Sequence, residues 1–113
     1  MLSVREKGIL EFIIFHCERV EEKVVGKSYD QFAQDTDLQD IICFNIFQIG
    51  ELINTLSQDF KKKHGEQPWI DIVGMRNIIA HGYGTIKMDR IWKSATTEVK
   101  PLREYLEQIL NAD

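Results

Sequence analysis

The sequence predicts an all-α protein, an antiparallel four- to five-helix bundle that forms a single domain over residues 1–113. Apolar residues recur at three- and four-residue steps through most of the chain, and no stretch shows the alternation typical of a strand. Seven glycines and two prolines are too few for a disordered or linker-dominated chain. A chain of 113 residues can withdraw roughly 60–70% of its unfolded surface from water, which is enough for a core of its own.

The first predicted helix spans about residues 4–25. Residues 3–6, Ser-Val-Arg-Glu, fit a capping box, and Gly26 supplies a stop. Residues 28–31, Ser-Tyr-Asp-Gln, repeat the capping pattern and predict a short helical turn. The apolar positions of the first helix are Ile9, Phe12, Ile13, Cys17, Val20 and Val24.

A second long segment begins at Asp35, and residues 61–65, Lys-Lys-Lys-His-Gly, end this region. Two polar residues, Asn45 and Gln48, fall on or beside its apolar stripe, which is unusual for a packing face. The lysines Lys61, Lys62 and Lys63 form either a solvated helix end or a patch that contacts RNA phosphates. The stripe itself consists of Leu38, Ile41, Ile42, Ile49, Leu52, Ile53 and Leu56.

The third predicted helix begins near Pro68, a favourable first-turn residue, and is broken by Gly82 and Gly84. Asp89 caps or joins the first turn of a fourth segment, which keeps helical spacing to Leu110. Pro101 lies inside that segment and predicts a kink or a break into two helices, because proline cannot donate to the carbonyl of Thr97.

Composition and charge exclude several classes of protein. With 14 basic and 18 acidic residues the net charge is −4, so bulk charge does not make this chain a polyanion binder, and any nucleic-acid chemistry must be local. No apolar run approaches the ~20 residues of a membrane span, and charges within residues 1–15 argue against export, so we expect a cytoplasmic protein without a membrane partner. Cys17 and Cys43 form no metal-binding pattern and are predicted to be buried reduced thiols.

Functional groups are concentrated in residues 76–83, Arg-Asn-Ile-Ile-Ala-His-Gly-Tyr. Asn77 and His81 are four residues apart and share a helical face, whereas Arg76 and His81 are about 140° apart around an ideal helix. The Arg and His side chains converge if the helix unwinds near His81, or if a two-fold dimer brings the arginine of one chain to the histidine of the other.

The chemistry of this set suits RNA cleavage without a metal or another cofactor, since no carboxylate cluster or Cys/His ligand set is present, although spacing alone favours a structural role. His81 can move a proton, Arg76 can stabilise phosphate charge, and Asn77 and Tyr83 can position the substrate. The competing interpretation is structural: an arginine that supports packing and a helix-end histidine whose hydrogen bonds are satisfied. The other histidines are not catalytic candidates: His16 is predicted to be packed or partly exposed, and His64 to be a helix-end cation.

The pattern Arg76-x4-His81-x-Tyr83 resembles the signature of HEPN-domain proteins, specifically the HepT-like toxins encoded beside minimal nucleotidyltransferase antitoxins called MntA. Further landmarks of that family occur in order over nearly the whole chain: residues 39–40, Asn45, 49–51, 68–69, 72–77, 91–92 and 101–102. The resemblance implies a metal-independent endoribonuclease toxin of a type II toxin–antitoxin pair that acts on tRNA or mRNA. It also implies that the antitoxin silences the protein by AMPylation of Tyr83. Because one chain carries one Arg76 and one His81, which point apart on a regular helix, we predict a homodimer built on the face that bears them, which can assemble further with the antitoxin.

Two positions depart from the family pattern. Phe44 and Phe47 stand where many relatives have Arg and Glu, so either the activity is altered or the two phenylalanines enlarge an oligomer interface. The alternative function is a non-catalytic helical binding subunit that docks a minimal nucleotidyltransferase.

Overall fold

Seven helices make up the fold across residues 1–65, 67, 69–82, 84 and 87–113, which are the residues described by a computed structural model. These residues contain no strand, so the all-α prediction is confirmed. Five helices have ten residues or more and form the predicted bundle, while the other two are short connecting helices. In chain order the helices are α1 (Val4–Val24), α2 (Tyr29–Ala33), α3 (Thr36–Asn54), α4 (Gln58–Lys63), α5 (Trp69–Gly82), α6 (Met88–Thr97) and α7 (Val99–Ala112).

Side-chain caps set where the helices begin. Ser3 accepts a hydrogen bond from the backbone N–H of Glu6 at the start of α1. At α2 the capping box predicted from residues 28–31 is complete, with both reciprocal bonds formed. Asp35 caps α3 as predicted, by accepting from the N–H of Leu38. Gly26 follows α1 with a φ of 71°, the left-handed conformation that glycine adopts without steric cost.

The region between Asp35 and the lysines contains two helices. Helix α3 ends at Asn54, and the hydroxyl of Thr55 donates to the carbonyl of Leu52. Ser57 then caps α4 by accepting from the N–H of Phe60. These hydroxyls offer the backbone local partners that compete with a continuous helix, which is why the chain turns here although its apolar stripe continues to Leu56.

The segment containing Pro101 is likewise divided, at Glu98 between α6 and α7, so the predicted break is confirmed. Pro101 is the third residue of α7, where a missing N–H removes no intrahelical bond. The hydroxyl of buried Ser94 donates to the carboxylate of Glu98 across the junction. Pro68, which was predicted to open the third helix, lies outside the described residues.

Helix α3 is central to the bundle: α1 and α5 both pack against it, and α7 packs on α1. Helix α5 packs chiefly on α3, which leaves its outer face exposed. No helix in the described ranges is long and apolar enough to cross a membrane. The largest fully buried side chains are Phe32, Leu10, Ile13, Ile42, Ile49, Ile53, Met75, Ile91 and Leu106.

Polar groups inside the bundle are paired. Asn45 is only 4% exposed, and its amide donates to the carbonyl of Ile41 while its oxygen lies 2.8 Å from His16 Nδ1, which therefore carries the proton. Arg103 on α7 makes a two-pronged ion pair with Glu21 on α1 and also pairs with Glu107. Asn45 and His16 thus hold α1 against α3, and their hydrogen bonds account for the polar interruption of the α3 stripe.

The two cysteines should be chemically inert in the folded protein. Both are free and buried, as predicted. Burial raises the pKa of Cys43 to about 11 and that of Cys17 further still, so at pH 8 only about one Cys43 thiol in a thousand is ionised. We expect an aromatic disulfide reagent to label both thiols promptly in denaturant and only at the rate of fold opening without it. Rapid stoichiometric labelling of the native protein at pH 8 would contradict this burial.

Candidate active site

Helix α5 carries three of the predicted site residues, Arg76, Asn77 and His81. Its buried side, formed by Ile72, Met75 and Ile79 with Trp69 at its start, faces the core. Asn77 and His81 are exposed on the outer side, one turn apart. Residues three or four positions apart lie on the same side of a helix. The sequence VGMRNIIAH (residues 73–81) therefore packs Met75 and Ile79 against the core and leaves Asn77 and His81 exposed.

Helix α5 remains helical through Gly82, so the unwinding near His81 that could have brought it to Arg76 does not occur. The two residues therefore stay about 140° apart around the helix axis. Within the described residues no side-chain hydrogen bond joins His81 to another group, and its imidazole is open to solvent. Within one chain, His81, the predicted proton-transfer group, therefore does not meet Arg76, the predicted phosphate-binding group.

The approach of α5 to α3 is closest where Arg76 crosses Gly50. A Cβ placed on Gly50 would collide with Cβ of Arg76 and lie 2.9 Å from its Cγ. Real side-chain carbons do not come so close, so the helix spacing at this point requires glycine. Gly50 thereby determines where the arginine stem lies, and nothing in the helical periodicity of α3 marks it for that role.

Arg76 is held in place by groups from both helices. Its Nε donates to Glu51 Oε1 at 2.5 Å, and one terminal nitrogen donates to Asn77 Oδ1 at 2.8 Å. The guanidinium carbon also lies 5.2 Å from the centre of the Phe47 ring, within the range of a cation–π contact. With its side chain 22% exposed, Arg76 is anchored yet still reaches the surface. These contacts fix the orientation of the guanidinium before any substrate arrives.

The positions that depart from the family pattern have different surroundings. Phe47 is half-buried beneath the Arg76 guanidinium, so in this chain it supports the arginine. Phe44 is exposed and lies beside His16 with ring centres 6.5 Å apart, which leaves its predicted role in an oligomer interface open. Sequence reasoning treated Gly50 and Glu51 only as family landmarks. A signal was present, since glycine in the interior of a helix is unfavourable and calls for a packing reason.

The three lysines line two different concave surfaces. Lys61 and Lys62 line a groove of about 720 Å³ that also includes Asn77, on α5. Lys63 faces a different cavity near the chain termini. The structure therefore places two of the three predicted RNA contacts on the same side as a residue of the α5 motif.

His64 is more than a helix-end cation. It is the C-terminal cap of α4, and its ring lies between Phe60 and the hydroxyl of Tyr105, with Nδ1 at 2.6 Å from that hydroxyl. This position ties α4 to α7. Tyr83, predicted both to position substrate and to accept AMP, lies outside the described residues. Among the described residues no group of three or more His, Cys, Asp or Glu side chains could hold a metal ion.

The close contact at Gly50 generates a direct test. Gly50→Ala would force a methyl group into the stem of Arg76, and overpacking of this kind costs about 1–3 kcal/mol. We expect a lower midpoint in urea unfolding. Gly8→Ala is the matched control, because a Cβ at Gly8 of α1 meets nothing within 4 Å. A Gly50→Ala protein as stable as the Gly8→Ala control would show that the helices do not need this contact.

Comparison with known proteins places the chain in a family. A family model described as "Ribonuclease HepT-like" matches residues 13–109. The chain is 32% identical over 104 residues to a "Putative RNase" of Caldanaerobacter subterraneus subsp. tengcongensis, covering 92% of this chain and 93% of that protein. It is 27% identical over 103 residues to "Probable ribonuclease HepT" of Thermococcus cleftensis, covering 91% and 94%. No solved structure matches significantly. The chain belongs to the HepT-like ribonuclease family.

Proposed function

We propose that this protein is a metal-independent endoribonuclease that cleaves tRNA or mRNA in the cytoplasm. The observation that carries the proposal is the oriented Arg76: Glu51, Phe47 and Asn77 hold its guanidinium at the surface of the helix that also displays His81. A structural arginine would not need an exposed amide and an exposed imidazole along the same helix. Membership of a ribonuclease family supports the same substrate.

The proposed reaction uses the RNA's own 2′-hydroxyl as nucleophile. His81 removes its proton while the 2′ oxygen bonds to phosphorus, and the bond from phosphorus to the 5′ oxygen breaks. The 5′ oxygen leaves with a proton from solvent, which gives a 2′,3′-cyclic phosphate and a 5′-hydroxyl end. Arg76 offsets the charge that builds on the phosphoryl oxygens in the transition state.

A homodimer would complete this site. Arg76 and His81 point to different sides of α5, and α5 packs chiefly on α3 with its outer face exposed. Ile78 adds an exposed apolar side chain to that face, one turn before His81. Two copies related by a two-fold axis would bring the arginine of each to the histidine of the other.

A partner protein controls the proposed ribonuclease activity. The protein acts as the toxin of a type II toxin–antitoxin pair, and an MntA-like nucleotidyltransferase modifies Tyr83. The phenol oxygen attacks the α-phosphorus of ATP and pyrophosphate leaves. A phosphate two residues from His81 would take the place of the substrate phosphate, and its covalent attachment gives an effective concentration in the millimolar range of short tethers. The modified protein can assemble with its antitoxin into a larger hetero-oligomer.

His81→Ala should lower RNA cleavage in excess EDTA by about 10²–10⁴-fold without changing the unfolding midpoint, because His81 is exposed yet handles the reaction proton.

Arg76→Lys should lower the rate of RNA cleavage by about 10²–10³-fold, since lysine keeps the positive charge but not the planar guanidinium fork. Arg90→Lys, at an exposed arginine of α6, is the matched control. Cleavage is followed by the appearance of 2′,3′-cyclic phosphate ends. If wild-type protein yields none, the non-catalytic binding subunit becomes the better description.

Mixing the two inactive variants tests the shared site. Unfolding and refolding Arg76→Lys with His81→Ala in equal amounts makes half of the dimers mixed, and each mixed dimer would hold one site with both groups intact. The mixture should therefore recover roughly a quarter of wild-type activity. No recovery, with dimers demonstrated by light scattering, would place both groups in the same chain's site. A fully active monomer would reject the dimer altogether.

Co-expression with the nucleotidyltransferase should add AMP-sized mass to the protein and abolish cleavage. Tyr83→Phe should remove the addition, whereas Tyr29→Phe, at an exposed tyrosine of α2, should retain it. Intact-mass spectrometry measures both. Additions that persist in Tyr83→Phe, or a modified protein that cleaves at the full rate, would rule out the proposed switch.

A further inference from the structure

The groove between the end of α3, helix α4 and the first half of α5 has both an apolar floor and a basic rim. Val73 is the partly exposed apolar residue of the floor, the buried side chains of Ile53 and Trp69 line it from the core, and Lys61 and Lys62 stand at the rim. Its volume of about 720 Å³ lies within the range of sites that hold a small organic ligand, about 300–1,000 Å³. Of its described lining, Asn77 alone takes part in holding Arg76.

We propose that this groove binds one unpaired nucleotide of the RNA, next to the bond that is cut. The inference rests on the proposed ribonuclease function and names the form of RNA that it takes. The base would lie on the apolar floor, and the adjoining phosphate would meet the two lysines. A base held within a duplex could not enter such a concavity, so the substrate is RNA with an unpaired segment.

Polar side chains around the groove match the edge of a base. Asn54, Gln58 and Asn77 each carry an amide, which both donates and accepts hydrogen bonds as base edges do. Asn77 uses its oxygen to accept from Arg76, so its NH2 group is the part that can face the groove. That hydrogen bond also joins the groove to the phosphate-binding arginine.

Charge favours a phosphodiester beside the lysines. Among the described residues of the lining, Asp59 is the one acid, against two lysines, and Arg76 is hydrogen-bonded to the Asn77 amide at the far end. The chain as a whole carries a net charge of −4, so a locally basic groove contrasts with its surroundings. A basic or purely apolar partner would match this rim less well.

Gly74 keeps the groove open. It lines the groove on α5, and a Cβ built on it meets nothing within 4 Å. Glycine inside a helix lowers its stability relative to alanine, so neither packing nor helix propensity calls for glycine here. Space for a ligand does provide a reason, because any side chain at residue 74 would project into the groove.

Gly74→Leu tests the proposal, with Gly8→Leu as the matched control in another open helical position. Affinity is measured by fluorescence anisotropy for a single-stranded RNA made uncleavable by 2′-deoxy substitution, and thermal unfolding checks the fold. We expect Gly74→Leu to fold at least as well as wild type and to bind at least ten-fold more weakly, while Gly8→Leu binds normally. Wild-type protein should bind a duplex of the same sequence at least ten-fold more weakly than the single strand.

A lysine pair provides the second measurement. Lys61→Ala with Lys62→Ala should weaken binding and lower the slope of log affinity against log salt by about 0.7, because the two lysines meet one phosphate and each phosphate contact on a single strand contributes about 0.7. Lys93→Ala with Lys100→Ala, at exposed lysines of α6 and α7, should leave the slope unchanged.

Three results would overturn the groove proposal: unchanged affinity in Gly74→Leu, equal binding of duplex and single strand, or loss of a wild-type dimer in Gly74→Leu, which would assign the groove to a second copy. The proposed function fails separately. A wild-type protein that binds the uncleavable strand through the groove but cuts no RNA would support the groove as an RNA-binding site and reject the proposed ribonuclease activity.

Discussion

The contact between Gly50 and Arg76 is the constraint on which the rest of the site depends. Because α3 has no side chain at residue 50, α5 can lie close enough for the stem of Arg76 to cross the α3 backbone. The same approach puts the guanidinium within reach of Glu51 and Phe47, one residue after and three before the glycine. A wider helix spacing would keep the hydrophobic core but lose the orientation of this arginine. The spacing of α3 and α5 and the orientation of Arg76 therefore both depend on the absence of a side chain at residue 50.

Glu51 orients the guanidinium of Arg76 and also partly neutralises its positive charge. An ion pair with part of its surface in water attracts a phosphate less strongly than a lone guanidinium does. Additional cations must then supply much of the attraction for RNA, and the protein has few to spare at a net charge of −4. The lysines of α4 that line the groove beside Asn77 provide such charge locally. This arrangement favours recognition at one place over general binding to nucleic acid.

Helix α5 is anchored on one side and exposed on the other because it packs mainly on one neighbouring helix. Its inner residues, including Met75 and Ile79, bury themselves against the bundle, while Asn77, Ile78 and His81 remain outside. A helix with neighbours on both sides would have to bury these groups or pair them. The exposed side leaves room for RNA, for a second copy and for a modifying enzyme.

The sequence by itself determined the helices, because capping residues and apolar periodicity act over a few neighbouring positions: Ser28, Asp35 and Pro101 each have the local effect expected of them. It also indicated Arg76, Asn77 and His81 as the group that carries chemistry. Only the tertiary structure decided which side chains hold Arg76, since Glu51 and Phe47 lie 25 or more positions away along the chain. The structure likewise places Lys63 beside a different cavity from the other lysines and shows that α5 is helical through Gly82. Distances between helices follow from packing in three dimensions, and a periodic pattern along one helix does not contain them.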